Sequence, residues 1–318
     1  MRSNISPTVE GGLLVAISVL LGLAAVYLPI IGIVAEFFCA VPITTVTVRH
    51  GMRNGFMALS ISYILLSIFT GVVTALTISL SFGVGGFVLG CCFVKNFGAV
   101  KSFTATFAAS FVAQILSVGF FMFVMGIDIA EDEMSMLRES FNESFAMYES
   151  MGVDKATIDE AKRQVEPALE LVKFLIPTIL LLTSLVATAI CYYTTKIIFK
   201  KIRLPFPDSM PPFREWRFPV FFLYLAAFSF IGLYWGGTRH LDLLYTVSIN
   251  SLVFAMGAGL IQGFSLLSYF ADRYKISKFV RRLFFLFVIL NLMLIHIVAF
   301  TGLFDMVFDY RKKFTRDL

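Results

Sequence analysis

Val41-Pro-Ile-Thr-Thr-Val-Thr-Val-Arg-His-Gly-Met-Arg-Asn-Gly55 decides how the rest of the chain is read. A hydrophobic run ends at Val48, a short basic turn carries Arg49, His50 and Arg53, and a second hydrophobic run follows. Gly51 and Gly55 let the backbone reverse tightly between the two runs. Short loops rich in lysine and arginine belong on the cytoplasmic face of a membrane. Once this turn is placed there, the other crossings alternate from it.

Composition leaves little choice of class. Of 318 residues, 58% are hydrophobic and 15% charged, and the mean hydropathy is +0.85. A soluble domain carries about 25% charged residues. The surplus apolar surface must therefore face lipid, which makes the chain an integral membrane protein. The net charge of +5 resides in short loops between apolar runs. It reports topology, and no nucleic-acid partner is expected. Cys39, Cys91, Cys92 and Cys191 all lie inside apolar runs with no C-x-x-C spacing, so they read as packing residues. The first run has Arg2 ahead of it but no small-x-small cleavage site before Pro29, and is read as a retained span.

A crossing helix needs about 20 apolar residues. That rule places spans at 11–28, 30–48, two short glycine-rich ones within 56–93 split near Thr70 and Gly71, then 102–127, 168–195, 218–235, 243–270 and 283–304. The fold class expected is all-α: a polytopic transmembrane bundle of eight to nine spans with an acidic helical hairpin outside the cytoplasm. That hairpin is 128–166, the one long polar segment. In it Met134, Leu137, Phe141, Tyr148 and Met151 recur at helical spacing. Gly152 suits a helix stop, and Thr157-Ile-Asp-Glu160 has the form of a capping box opening a second helix. That helix runs on into the sixth span, where Pro177 suggests a kink. Three regions result: a six-span membrane domain over 1–200 including the hairpin, a basic, proline-rich cytoplasmic linker over 201–217, and a membrane region with a basic tail over 218–318.

The loops around Arg49, Lys95, Lys196 to Arg217 and Arg273 to Arg282 are basic and fall on one side, the cytoplasm. The acidic hairpin falls outside. Nine full spans would carry the basic tail outside too, against the rule. Three resolutions stand: a re-entrant last run, one wrongly assigned span, or an exceptional tail.

The turn Pro42…Arg49-His-Gly51…Gly55, the Gly83–Gly90 run and the ending Gly302-Leu-Phe-Asp305…Phe308-Asp-Tyr-Arg311-Lys together resemble the YybS-like family of bacterial membrane proteins across essentially the whole chain. The first six spans, to about Lys200, are also similar to the substrate-binding subunits of energy-coupling-factor vitamin transporters. Those are six-helix proteins with both ends cytoplasmic and a ligand pocket near the outer face. The resemblance implies a small-molecule ligand and an energy-coupling transporter module as partners, in the bacterial cytoplasmic membrane. Those subunits dock their partner through small residues of the first helix, here Gly12…Ala16 and Ser18…Gly22. Small residues let helix backbones approach closely in lipid, whether the neighbour is a partner or the chain itself.

Polar groups inside spans are costly and so mark candidate sites. Glu36 in the second span lies roughly 10 Å below the outer end at 1.5 Å per residue. Asn250 enters from the same side, Gln114 is near the middle of the fifth span, Gln262 lies further in on the eighth, and Asn291 and His296 are on the last. Facing one cavity, they would form an outward-opening pocket in which Glu36 supplies charge or a proton site and the amides orient a ligand. Alternatively each satisfies a neighbouring helix, and Glu36 stays protonated in lipid. Arg239-His240-Leu-Asp242 could guide an anionic ligand or simply cap the next helix. Arg49, His50 and Arg53, like Arg281-Arg282 and Lys312-Lys313, are candidates for contact with anionic lipid or a cytoplasmic partner.

Nothing in the sequence points to catalysis, a cofactor or a metal: it contains no H-E-x-x-H, G-x-S-x-G or phosphate-binding loop, and its three histidines are far apart. The functional expectation is a small-solute-binding or transport subunit. The alternative is a scaffold or assembly factor of the cell envelope that uses the acidic hairpin.

Overall fold

The computed structural model describes residues 6–126, 128–207 and 210–316. Every regular element among them is helical. Eight helical segments are long and apolar enough to cross a bilayer, and one further bent pair passes the same test jointly. The chain is thus an all-α, multi-pass membrane protein. It forms two compact units, Met1–Met147 with Ile179–Met210 and Tyr148–Thr178 with Pro211–Leu318.

The first unit comprises α1 (Pro7–Tyr27), α2 (Pro29–Glu36), α3 (Ala40–His50), α4 (Met52–Thr70), α5 (Val72–Ile78), α6 (Val84–Val94) and α7 (Ala99–Val124), most of α8 (Ile129–Ser150) and the second part of α9 (Lys155–Ile202). Its centre is α3, buried without a break from Ala40 to Thr47. A helix sealed on all sides must satisfy its own polar atoms. Thr44, Thr45 and Thr47 do so by donating to the carbonyls of Ala40, Val41 and Ile43 at 2.9, 2.7 and 2.8 Å. Thr44 also donates to the Gly86 carbonyl on α6 at 2.8 Å. That approach requires glycine, because a Cβ at Gly86 would stand 2.5 Å from the Ala40 carbonyl oxygen. Gly51 and Gly71, with φ of +88° and +84°, end α3 and α4 in a conformation that side chains resist.

The span expected over 30–48 is present as Pro29–His50, but its helix is interrupted at residues 37–39. Pro42 has no N–H to return to Phe38, whose carbonyl accepts from Val41 at 3.0 Å instead. The turn before it tightens, with Phe38 N–H donating to Ala35 at 3.0 Å and Cys39 N–H to Glu36 at 3.2 Å. Between α5 and α6 the helix widens into a π turn over Ser79–Gly83. Such bulges occur frequently at functional sites.

The second unit holds the first part of α9 with α10 (Phe221–Thr238), α11 (Asp242–Arg273), α12 (Lys278–Leu290), α13 (Leu292–Phe308) and α14 (Tyr310–Arg316). Its seams are glycine against backbone. A Cβ on Gly259 would meet the Ala299 carbonyl oxygen at 2.5 Å, and one on Gly302 would overlap the backbone of Gly259.

The reversal between α10 and α11 lies at Arg239 and His240. Gly236 is needed inside α10, where a Cβ would stand 2.8 Å from the Tyr245 nitrogen. Thr157 does not cap α9, because the helix already begins at Lys155 and the Asp154 carbonyl takes the N–H groups of Thr157 and Ile158. The last apolar run is not one straight helix: α12 and α13 meet at 107°. α12 leaves beside the end of α11, with Arg281 on Ser268 and Asp272 and the Phe285 ring 4.8 Å from Phe264. α13 then returns toward that same end, with Asp305 on Gln262 and Phe314 beyond it 5.6 Å from Phe270.

Candidate functional site

Glu36 is the last residue of α2, directly before the break. It is half-buried, and among the described residues its carboxylate makes no hydrogen bond or ion pair. A helix C-terminus disfavours negative charge, so neither its own helix nor a cation stabilises the anion. Ala35 before it and Cys39 and Ala40 after it are buried.

The amides fare differently. In the first unit, Gln114 accepts from Thr183 at 2.9 Å. In the second, Asn250 takes the N–H and hydroxyl of Thr178 at 2.9 and 2.6 Å and donates to the carbonyls of Phe174 and Thr246 at 2.5 and 2.7 Å. Both tie a helix to α9. Asn291 caps α13, its side chain accepting from Leu294 N–H at 3.1 Å. His296 bonds back to the Leu292 carbonyl at 2.6 Å. Arg239 lies over the Trp235 ring at 5.6 Å, and His240 holds the reversal at φ +52°.

On the first unit's basic end, Arg49 forms an ion pair with Glu10 of α1, and His50 Nε2 stands 3.3 Å from the other Glu10 oxygen. Arg53 is exposed. The sequence reading passed over Glu10, although its place in the first turn of a span that starts on the basic side could have suggested it. Gly12 and Ala16 face outward, and a Cβ on Gly12 would meet nothing within 4 Å. Ser18 is buried and Gly22 packs on Leu66.

A second missed feature is a buried polar clamp at the end of α11. Gln262 accepts from Phe218 N–H at 3.0 Å and donates to Asp305 at 2.6 Å. Asp305 also accepts from Tyr310 N–H at 3.0 Å and faces Arg311 at 3.7 Å. Arg311 donates to the carbonyls of Arg214 and Trp216 at 2.7 and 3.2 Å and to Ser265 at 3.0 Å. Outside it, Asp309 binds Arg217 at 2.7 Å and Lys312 at 3.3 Å. Burial alone would raise the Asp309 carboxyl, but bonds and charge from Lys312 and Arg217 outweigh it and hold it below its usual value. The signal was present in sequence, since these residues form the family-like ending.

An open apolar groove of about 410 Å³ runs between the π turn and α7, lined by Leu80, Val84, Ala109, Ala113 and Leu116 among others. Among the described residues no group of three or more His, Cys, Asp or Glu side chains could hold a metal.

Fold and polar groups together define a multi-pass helical protein of the membrane. The chain belongs to the family described as "Predicted membrane protein (DUF2232)", whose model matches residues 16–306. It is 22% identical over 312 residues to "Uncharacterized protein YybS" of Bacillus subtilis (strain 168), covering 96% of this chain and 97% of that one. No solved structure matches it significantly.

Proposed function

We propose that this protein is a solute-binding or transport subunit of the cytoplasmic membrane that works with an energy-coupling partner and catalyses no reaction of its own. The observation that carries this reading is Glu36, a carboxylate without a partner among the described residues, beside a break that precedes the buried run Ala40–Thr47. Broken membrane helices recur in transporters where ligands and coupling ions bind, and an ionisable group left in a span is functional by default. The apolar groove beside α7 offers room for a ligand with a greasy body. The outward-facing Gly12 and Ala16 leave α1 open to a partner helix. Native purification in mild detergent, followed by mass spectrometry of co-purifying proteins, tests the partner. Recovery of an ATP-hydrolysing membrane module supports the reading, and recovery only of other envelope proteins contradicts it.

A second reading has its own observation. On α8, Met136, Leu137 and Phe141 are exposed among acidic residues, as a scaffold's docking hairpin would require. Deleting 128–153 abolishes partner capture if this reading holds and leaves it intact if the first does.

A further inference from the structure

The last apolar stretch begins and ends at one end of α11. Arg281 near its start reaches Ser268 and Asp272, and Asp305 and Arg311 near its finish reach Gln262 and Ser265. Between these points it runs further along α11 and turns back, so that Gly302 lies against Gly259 and Gly263. With 13 residues, α12 is about 20 Å long, short of the roughly 30 Å hydrocarbon core. The turn at its tip is the greasiest part: Leu290, Leu292 and Met293 are 76%, 76% and 74% exposed. Backbone groups at such a tip must be satisfied within the chain if lipid surrounds them. Asn291 does this twice, donating its N–H to Val288 at 3.2 Å and capping Leu294 through its side chain.

The base is charged in the complementary way. Arg281, Arg217 and Lys312 are matched by Asp272 and Asp309. Among the described residues no ion pair involves Arg273, Lys275, Lys278 or Arg282, of which the last three are exposed. Large apolar side chains, Phe279, Leu283 and Phe287, are exposed on the same helix. Long cationic stems at the foot of a lipid-facing helix place their charge at headgroup level.

We propose that α12 and α13 form a re-entrant wedge in the cytoplasmic leaflet, with its tip at Asn291 inside the hydrocarbon and with Lys275, Lys278 and Arg282 at its base holding anionic phospholipid headgroups. The basic tail then stays on the cytoplasmic side, in accord with the other basic loops. The experiment has two arms. Lys313→Cys, Met293→Cys and Ser144→Cys are introduced singly after replacing the four native cysteines, and an impermeant maleimide is applied to right-side-out and inverted membrane vesicles. The wedge requires Lys313→Cys to react only in inverted vesicles and Met293→Cys in neither until the membrane is dissolved, while Ser144→Cys, in the hairpin expected outside, serves as the sidedness control. Labelling of Lys313→Cys from outside makes the stretch a full span and overturns the proposal. In the second arm, native mass spectrometry compares retained phosphatidylglycerol and phosphatidylcholine. Wild type keeps phosphatidylglycerol preferentially, and Lys278→Gln/Arg282→Gln, matched for folded yield by size exclusion, keeps several-fold less. Equal retention of the two lipids by wild type, or undiminished phosphatidylglycerol on the variant, refutes the headgroup site.

Discussion

Asp305 and Glu36 are carboxylates on apolar helices, one in each unit, and the fold treats them in opposite ways. Asp305 is 4% exposed and is met by an amide, a backbone N–H and a guanidinium. Glu36 is half-buried at the wrong end of a short helix and meets no such group among the described residues. A desolvated charge with its full set of partners is committed to holding the structure. One without them contributes nothing to stability as an anion, and its presence in a span calls for a role outside folding.

The largest effect should come from breaking the committed pair. Arg311→Met strands Asp305 in a buried site and should cost about 3–5 kcal/mol, read as a lowered unfolding midpoint in detergent. Adding Asp305→Asn should return part of the loss. Glu36→Gln, measured alongside, should leave the midpoint unchanged, and an equal loss there would erase the contrast. Next comes Gly302→Ala, whose Cβ overlaps the Gly259 backbone. It should cost about 1–3 kcal/mol or more as the helices are forced apart, while Gly12→Ala, with open space around it, should cost nothing. Asn291→Ala removes the cap at the α12–α13 bend and should cost about 1 kcal/mol, with Asn291→Ser recovering most of it.

The smallest effect is at Asp309. Its ties to Arg217 and Lys312 are partly exposed and worth about 0.2–1 kcal/mol. Because its carboxyl is held below the ordinary value, that stability is complete above the usual carboxylate range and is lost as pH falls through the folded-state value. The difference in unfolding midpoint between wild type and Asp309→Asn should therefore fade in acid. A difference that persists there would mean the pair is not its source.

What could be read beforehand follows physical lines. Hydropathy and length placed the crossings, and the turn at Gly71 and the stop at Gly152 were legible because only glycine takes their positive φ comfortably. The break after Glu36 was not, because Pro42 acts on the turn preceding it and leaves the apolar run intact. The basic tail left a re-entrant last run open, but the position of the bend at Asn291 was hidden, as hydropathy averages across a single capping asparagine. The Asp305–Arg311 clamp resembled a solvated tail, since charges near a terminus look alike until a helix folds back over them. Gln114 and Asn250 were recognised as polar groups in spans, but sequence cannot say that Thr183 and Thr178 answer them.

The most direct test of the account is what Glu36 holds. Wild type and Glu36→Gln are purified natively at equal folded yield, and the small molecules that leave each on denaturation are compared by mass spectrometry. The account predicts a discrete species with wild type that is lost or strongly depleted with Glu36→Gln. Identical profiles, or no discrete species with wild type, would contradict it.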